Sequence, residues 1–510
     1  MSPITPAPEL VDGDARYCFD LNNIDDYAKF LAVKSLPRFS FAGRTARFPA
    51  EYAESLGLVQ TKRKAGKYKP SSFLFDYQRD ISRMAIERSK FAAFVDCGLG
   101  KTLIELEFVK HVAKVVDDGK AILIVCPLMV VKQTIAEAER FYGDAIQIEH
   151  VHAKDLNAWL ASGKSKIGIT NYDALTDDIQ PGRLAAMVLD ESSMLKSAYG
   201  KWAQTCIRLG KGLDWKLCMT GTPAPNDRIE YANHAVFLDQ YPTVNAFLAR
   251  FFVNRGQTDN RWELKPHALG PFYRALSHWA IFLTNPATYG WKDNCENIPP
   301  INVHVHDIPL TNQQTAIALH GTGEMFVNVR AGGITTRSKH GQLAKGKHNG
   351  ERVDTNKPGY VRDLVNSWPE ESTIIWCHYN DEQDRIAAEF PDAANITGDT
   401  EHETRLKLIA DFQAGRRKIL ISKGKILGFG LNLQIATRQV FSGLQDSYET
   451  YYQCVKRSNR YGSTRPLNVH IPITELERPM IQTVLEKAKR VQHDTEEQER
   501  IFKENQRVTE

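Results

Sequence analysis

Residues 96–102 read Asp-Cys-Gly-Leu-Gly-Lys-Thr and lie between an apolar run, 91–95, and a segment with apolar residues at helical spacing. A glycine turn between a buried strand and a helix directs backbone N–H groups at an anion. Lys101 would then bind the β- and γ-phosphates of a nucleotide, and the Thr102 hydroxyl would bind Mg²⁺. Because Val95 occupies the first glycine position of the generic phosphate-loop pattern, an ordinary glycine loop is the alternative. The residues predicted to surround the phosphates are Gly98, Leu99, Gly100, Lys101 and Thr102.

Two adjacent carboxylates, Asp190 and Glu191, follow the apolar run 185–189. Open parallel sheets bind their ligands at the carboxyl ends of the strands, so this position suits chemistry on a nucleotide. Asp190 would hold Mg²⁺ through water, and Glu191 would orient and deprotonate the attacking water. Acidic residues also favour helix N-termini because of the helix dipole, and this is the structural alternative.

A small polar turn, 220–222, follows another apolar run at 216–219. Small hydroxyl and glycine residues at such a position allow a loop to switch hydrogen bonds between nucleotide states. A plain exit from a strand into a loop is the alternative. The residues predicted to couple nucleotide state to motion are Thr220, Gly221 and Thr222.

Tyr77 and Gln78 lie upstream of the phosphate loop. A glutamine amide is both donor and acceptor, which suits the edge of adenine, and the neighbouring aromatic ring would stack on the base. A cluster of core aromatic residues is the alternative. We therefore predict that both residues contact the adenine of ATP.

The segment 447–462 carries Gln453, Arg457 and Arg460, which share one face if the stretch is helical. Two guanidiniums aimed at a γ-phosphate would supply the positive charge of arginine fingers. A surface helix with solvated arginines is the alternative. The preceding stretch is rich in glycine, and Gly430 would allow the backbone to approach a ligand closely.

The chain has 510 residues, more than one hydrophobic core usually serves, so two or three domains are expected. Its 42% hydrophobic and 25% charged residues are typical of a soluble globular protein. A net charge of +4 is too small to indicate a nucleic-acid partner by itself. The eight cysteines form neither C-x-x-C pairs nor zinc spacings, so we expect reduced thiols in a cytoplasmic protein. The longest apolar run, 121–131, is far shorter than the ~20 residues of a membrane span.

Short apolar runs alternate with helical segments in two parts of the chain, which predicts parallel sheets covered by helices on both faces. Strands are expected at 91–95, 121–126, 166–170, 185–189, 216–219, 373–377, 395–397, 418–422, 438–441 and 467–473, and helices at 403–414 and 447–461. The predicted domains are an accessory region with a basic connector at 1–70, a first lobe at 71–228, a helical insertion without strands at 229–300, a second lobe at 301–475 and a C-terminal helix at 476–510.

Eight segments, taken in order, resemble the motifs of superfamily 2 helicases. They read D-C-G-L-G-K-T, I-V-C-P-L, I-T-N-Y, L-D-E-S-S, M-T-G-T-P, I-I-W-C-H-Y, G-F-G-L-N-L-Q and Q-C-V-K-R-S-N-R-Y-G. They are most similar to the Swi/Snf-type branch of DNA translocases. The residues specific to that branch are Gly-Leu-Gly-Lys-Thr at 98–102, Leu195-Lys196 after the acidic pair, Gly430-Leu-Asn432-Leu433, and the ending with Arg457 and Arg460-Tyr-Gly462. The resemblance covers about residues 70 to 475, and the compact chain resembles the short forms carried by bacteriophages and bacteria.

This resemblance implies an α/β fold with two tandem RecA-like lobes, ATP and Mg²⁺ as cofactors, and double-stranded DNA as the partner. The sequence departs from the family at Asp96-Cys97, where an acidic-methionine pair is usual, and at Ser193, where a histidine links hydrolysis to motif VI. The second departure, at Ser193, affects the link between hydrolysis and motif VI more than hydrolysis itself. The residues assigned to nucleic-acid contact by motif position are Lys132, Asn171, Tyr172 and Asn432.

The implied activity is ATP-dependent translocation along double-stranded DNA, in which ATP binding draws the lobes together and Arg457 and Arg460 complete the site. One alternative is a strand-separating helicase acting on DNA or RNA. Another is a non-catalytic nucleic-acid-binding scaffold, whose function would survive Lys101→Ala and Glu191→Gln. The acid-free basic stretches 330–347 and 62–69 are either phosphate contacts or solvated loops. We expect a monomer, with a nuclease as a candidate partner protein.

Overall fold

The computed structural model describes residues 8–506, apart from 12–13, 35, 37–38, 50–51, 54–55, 59–67, 198–199, 257–261, 293–297, 321–333, 428–430, 444–446 and 461. Gly430, the beginning of the basic stretch 330–347 and most of the basic run 62–69 therefore lie outside the described residues. Within the described ranges, no helix is both long enough and apolar enough to cross a membrane.

The strands are β1 Glu9–Val11, β2 Asp14–Cys18, β3 Ser40–Ala42, β4 Thr45–Pro49, β5 Lys90–Val95, β6 Ala121–Cys126, β7 Ile148–His150, β8 Ile167–Asn171, β9 Leu184–Leu189, β10 Trp215–Met219, β11 Phe252–Asn254, β12 Trp262–Leu264, β13 Ala280–Leu283, β14 Ile301–Asp307, β15 Lys347–His348, β16 Glu351–Arg352, β17 Thr373–Cys377, β18 Ala394–Ile396, β19 Ile419–Lys423, β20 Arg438–Phe441 and β21 Leu467–Ile473.

The α-helices are α1 Ile24–Val33, α2 Asp76–Arg88, α3 Lys101–Val115, α4 Val131–Tyr142, α5 Leu156–Ser162, α6 Lys201–Gly210, α7 Tyr231–Phe237, α8 Val244–Phe251, α9 Leu269–Ser277, α10 Asn312–His320, α11 Ile334–Ala344, α12 Lys357–Asn366, α13 Asn380–Glu389, α14 His402–Gln413, α15 Gly424–Leu427, α16 Tyr448–Ser458 and α17 Arg478–Gln506.

The first of two compact units comprises Met1–Asp293 and His493–Glu510. Its large sheet has the strand order β13-β5-β10-β9-β6-β8-β7, and every neighbouring pair is parallel. Strands β6 and β10 are buried at every residue, as expected when helices cover both faces of a parallel sheet. Because β5, β10 and β9 are neighbours, the loops that follow them meet at one edge of the sheet.

The second unit comprises Asn294–Gln492 and contains a parallel sheet of order β14-β21-β20-β17-β19-β18. Alternate residues of β17 enter different cores: Trp376 packs with α16, whereas Ile375 packs with α12 and α13. This alternation follows from the two-residue repeat of a strand. The predicted α/β fold with two RecA-like lobes is therefore confirmed.

A buried ion cluster joins three elements of the second unit. Glu477, which precedes α17, pairs with Lys345 and Lys357 at 2.8 Å each. The Lys357 ammonium also donates to the backbone carbonyls of Ser442, at 2.7 Å, and Pro472, at 3.1 Å. Both lysines and the glutamate are at most 3% exposed, so these hydrogen bonds compensate charges that water cannot reach.

The N-terminal region folds as an antiparallel sheet, β1-β2-β4-β3, with α1 packed on it. Its core includes Tyr17, Phe19 and Phe48, and each is at most 3% exposed. The Asp14 carboxylate accepts a hydrogen bond from Arg47 at 3.0 Å and pairs with Arg250 of α8 at 3.3 Å. The predicted accessory region is thus a folded module that contacts the rest of the first unit.

The segment 229–300 differs from the expected insertion without strands. It contains the hairpin β11–β12 and also β13, which pairs with β5 as the edge strand of the first sheet. The four apolar residues of β13 begin soon after helix α9 ends at Ser277, and so short an apolar run does not distinguish a strand from a helix end. The short strand β7 and the exposed edge strand β14 were also not predicted.

The expected C-terminal helix is present, but it is not simply solvated. In the second unit, Met480, Ile481 and Val484 of α17 are buried. In the first unit, the carboxylate of Asp494 accepts hydrogen bonds from the guanidinium of Arg228, at 3.0 Å from its Nε. Further contacts within the first unit join Gln498 to the Tyr231 hydroxyl, at 3.0 Å, and Glu499 to the Thr284 backbone N–H, at 2.7 Å.

Candidate functional site

The phosphate loop leaves β5 and enters α3 through two glycines with positive φ. Gly98 has φ +89°, and Gly100, the residue before the helix, has φ +71° and ψ +44°. Only glycine adopts such angles without strain. Helix α3 then begins at Lys101, as predicted, and its first N–H groups have no carbonyl partner within the helix. The loop therefore has the backbone of an anion site at a helix N-terminus.

Tyr77 and Gln78 hold this loop in place. The Tyr77 hydroxyl donates to the Leu99 carbonyl at 3.0 Å, and Nε2 of Gln78 donates to the same oxygen at 3.1 Å. Oε1 of Gln78 accepts from the Phe75 N–H at 3.1 Å. Both side chains are at most 2% exposed. One donor and one acceptor of the Gln78 amide are engaged in these bonds, and the contact of Tyr77 and Gln78 with adenine stays a prediction.

We expect Gly100→Ala to weaken nucleotide binding at least ~10-fold, since ~1.4 kcal/mol of backbone strain corresponds to a factor of ten. A methyl group at this position would overlap Nε2 of Gln78, whose amide is fixed by hydrogen bonds, and φ +71° disfavours alanine. Titration with a fluorescent ADP analogue measures the effect. Gly119→Ala is the control, because nothing lies within 4 Å of the added methyl group. Equal affinities for the two variants would contradict the prediction.

The acidic pair lies directly after β9. Asp190 and Glu191 are 7% and 6% exposed, and Glu191 has the left-handed angles φ +50°, ψ +50°. A non-glycine residue in this region is strained, and such residues concentrate at functional sites. Burial, and then the charge of Glu191, raises the pKa of Asp190 to about 7. A cation beside Asp190 would therefore stabilise its ionised form.

Lys101 lies in the field of these carboxylates. Burial opposes its positive charge, but electrostatic interactions with Cys97, Glu191 and Asp190 outweigh that effect and raise the pKa of Lys101. The lysine is consequently held as a cation beside the acidic pair. This is the arrangement required of a lysine that binds phosphate next to a metal-binding carboxylate.

The turn after β10 contacts both of the other loops. The Thr220 hydroxyl donates to Oε2 of Glu191 at 3.2 Å and accepts from the Thr222 N–H at 3.1 Å. A methyl group added to Gly221 would lie 3.4 Å from the backbone nitrogen of Cys97. The turn is therefore packed between the phosphate loop and the acidic pair, as a coupling element must be.

The residues assigned to nucleic-acid contact differ in exposure. Lys132 and Asn432 are exposed, and Asn171 is half-buried at the carboxyl end of β8. Tyr172, in contrast, is 2% exposed and donates its hydroxyl to the Asp190 carbonyl at 2.8 Å. Its prediction as a nucleic-acid contact is wrong, because the side chain supports the acidic pair from inside the core.

The segment 447–462 also differs from the single helical face that was predicted. Helix α16 ends at Ser458, so Arg460 lies beyond it, in a turn where its N–H donates to Oγ of Ser463 at 3.1 Å. Gln453 and Arg457 are on the helix and are 2% and 5% exposed. The helix ends early because Asn459 adopts extended backbone angles, φ −98° and ψ +97°.

The described residues fit a magnesium ion held together with a nucleotide. Among them, no group of three His, Cys, Asp or Glu side chains is arranged to hold a metal alone. Mg²⁺ is commonly bound by one or two carboxylates together with substrate phosphates, and a hydroxyl and a carboxylate are the oxygen ligands it prefers. Thr102 and Asp190 supply these groups, and the unfavourable burial of Asp190 is the observation that a cation would relieve.

Sequence reasoning missed Glu105, which is 1% exposed on α3 and has no hydrogen-bond partner for either oxygen among the described residues. Its sequence signal is a carboxylate between Ile104 and Leu106, inside a run that becomes buried. His234 was also missed. Its Nε2 lies 3.1 Å from Oγ of Ser192, next to the acidic pair, and burial lowers its pKa to about 4.

Two family profiles match the chain in tandem: the SNF2-related domain over residues 94–333 and the helicase conserved C-terminal domain over residues 356–462. Protein p41 of Acyrthosiphon pisum secondary endosymbiont phage 1 is 23% identical over 440 residues, which are 77% of this chain and 91% of that protein. A probable global transactivator of Orgyia pseudotsugata multicapsid polyhedrosis virus is 31% identical over 179 residues, 32% of this chain and 34% of that protein. The Sulfolobus solfataricus SWI2/SNF2 ATPase core, solved in complex with double-stranded DNA, is 18% identical, with 82% of this chain and 90% of that chain covered and a TM-score of 0.38.

Proposed function

The chain belongs to the SNF2-related group of superfamily 2 helicase-like ATPases, and from that premise we propose that it couples ATP hydrolysis to movement along double-stranded DNA. The observation that carries the proposal is the convergence of three loops in the first unit. The hydrogen bond from Thr220 to Glu191 and the packing of Gly221 on Cys97 join them. A nucleotide-dependent change at the acidic pair would therefore reach the turn after β10 directly.

Each residue of this group has a distinct task in the proposal. Lys101 binds the β- and γ-phosphates as a cation, and Glu191 orients and deprotonates the attacking water. Mg²⁺, when bound by Thr102 and Asp190, supplies positive charge at the phosphates. The motif positions of Arg457 and Arg460 assign them to neutralising the γ-phosphate during hydrolysis.

The proposed DNA track uses three polar side chains that are exposed or half-buried. Lys132 at the start of α4, Asn171 at the carboxyl end of β8 and Asn432 before β20 offer a charge and two amides for the phosphate backbone. Backbone contacts of this kind carry no sequence information, which suits a motor that must step along any sequence. Affinity that depends on phosphate contacts should fall as salt rises.

We expect intact duplex DNA to stimulate ATP hydrolysis more than single-stranded DNA or RNA does. The physical reason is that a translocase must engage the duplex backbone in each cycle, whereas unwinding requires a grip on one strand. A steady-state ATPase assay makes the comparison. It uses single-stranded, duplex, forked and RNA ligands, each at the same concentration of nucleic-acid residues and with the same ATP concentration.

The outcome also separates the rival functions. Stronger stimulation by a single strand would favour a strand-separating helicase. A protein that binds nucleic acid but hydrolyses no ATP with any of these ligands would be a scaffold instead.

A further inference from the structure

Glu105 is a buried carboxylate one helical turn beyond the phosphate loop. It lies three residues after Thr102 and four after Lys101 on α3, so the three side chains share one face of the helix. It is 1% exposed. Neither carboxylate oxygen has a hydrogen-bond partner within the described part of the chain. An uncompensated buried carboxylate is costly, so its surroundings must supply either a proton or a positive charge.

The neighbours of Glu105 are acidic. Burial raises the pKa of Glu105 above its ordinary value, and the charges of Asp190 and Glu137 raise it further. Burial raises the pKa of the thiol of Cys126, at the end of β6. The charges of Asp190 and Glu105 raise it further, so this thiol interacts with both carboxylates. Glu105 therefore interacts electrostatically with Asp190 from the first turns of α3, and neither of its oxygens has a hydrogen-bond partner among the described residues.

We propose that Glu105 accepts hydrogen bonds from water molecules bound to the magnesium ion held by Thr102 and Asp190. Mg²⁺ gives up its water reluctantly and usually keeps several water molecules, whose O–H groups are strong donors. Glu105 offers the matching acceptors on the helix face that carries Thr102, and a divalent cation supplies the charge that its acidic neighbours lack. This inference rests on the proposed function, since it needs a metal-nucleotide complex at this site.

Glu105→Gln tests the inference because it removes the charge and keeps the size of the side chain. We expect the dissociation constant of Mn²⁺, used as a spectroscopic substitute for Mg²⁺, to rise ~10-fold in the presence of ADP, as for other residues that support metal ligands. Electron paramagnetic resonance of free Mn²⁺ measures it. Binding of a fluorescent ADP analogue in EDTA should stay unchanged, which shows that the loop itself is intact.

Glu137→Gln is the matched control. Glu137 also acts on Glu105 electrostatically, but it is half-buried on α4 and accepts a hydrogen bond from Gln133 at 2.8 Å. Its replacement should leave Mn²⁺ affinity nearly as in the wild type. If Glu105→Gln does not fold, Glu105→Ala removes the carboxylate without adding volume and serves for the same comparison.

The two proposals fail in different ways. Wild-type affinity for Mn²⁺ in both variants at position 105 would overturn the role of Glu105 and identify it as a neutral structural acid, while leaving the proposed function in place. A wild-type protein that binds neither ADP nor Mn²⁺ with ADP would overturn the proposed function itself. A loss of Mn²⁺ affinity in the variants at position 105, but not in Glu137→Gln, supports both proposals.

Discussion

Glu191→Gln lowers kcat for ATP hydrolysis by ~10²–10⁴-fold, the usual contribution of a general base, while ATP still binds. Glutamine keeps the shape of the side chain and can still accept the hydrogen bond that Thr220 donates, so the turn after β10 stays in place. What is lost is the capacity to take a proton from water. Steady-state ATPase rates with saturating duplex DNA, together with titration of a fluorescent ATP analogue, measure the two effects separately.

Two further variants make this result specific. Glu139→Gln changes an exposed carboxylate of α4 and should leave kcat as in the wild type. Lys101→Ala should instead weaken nucleotide binding as well as turnover, because the lysine is the cation beside the acidic pair. A Glu191→Gln protein that retains more than about one tenth of wild-type kcat would argue against a catalytic base at this position.

Glu477→Ala destabilises the second unit by about 3–5 kcal/mol, the typical cost of leaving a buried charge without its partner. The substitution removes the carboxylate that pairs with both Lys345 and Lys357. These lysines are 3% and 2% exposed, so water cannot replace it. Native-state hydrogen exchange of peptides from β17 and β20 measures the free energy of unfolding in this unit. Such regional data are needed because a chain with two units need not unfold in one step.

The neighbouring surface pair is the control. Arg478 and Asp307 also form an ion pair, but their side chains are 51% and 69% exposed, so Arg478→Ala should cost at most about 1 kcal/mol. Equal losses of stability in the two variants would show that burial does not decide the effect.

The same ion cluster predicts a pH dependence. Burial opposes ionisation of Glu477, but Lys345 and Lys357 outweigh it and lower its pKa to about 2, from an ordinary value of 4.5. The folded state therefore holds this carboxylate ionised more strongly than the unfolded state does. Its contribution is fully present above pH 4.5 and is lost as the pH falls through about 2. The pKa values of the two lysines shift in opposite directions. Burial dominates and lowers the pKa of Lys357, whereas Glu477 raises the pKa of Lys345 in spite of burial.

The parts of the fold that could be predicted are those whose signal is local. A fully buried parallel strand appears as a continuous apolar run, and for this reason β6 and β17 have the predicted bounds. The phosphate loop was predictable because glycine is required where φ is positive, at Gly98 and Gly100.

The parts that could not be predicted depend on partners distant in sequence. The Gln78 amide also donates a hydrogen bond to the carbonyl of Leu99, 21 residues away, which its place in the sequence does not reveal. Helical periodicity placed Arg460 on α16, but the helix ends first, and periodicity alone does not show where a helix ends. Glu105 carries no motif, and its interest arises only from burial beside Asp190.

The hydrogen bonds of Asp494, Gln498 and Glu499 have a consequence for biosynthesis. Arg228, Tyr231 and Thr284 leave the ribosome long before their partners on α17 are translated, since the whole second unit lies between them in the chain. Domains generally fold from the N-terminus during synthesis, but this nascent unit lacks these contacts until α17 has emerged. The first unit is then completed by a helix that is translated after the second unit.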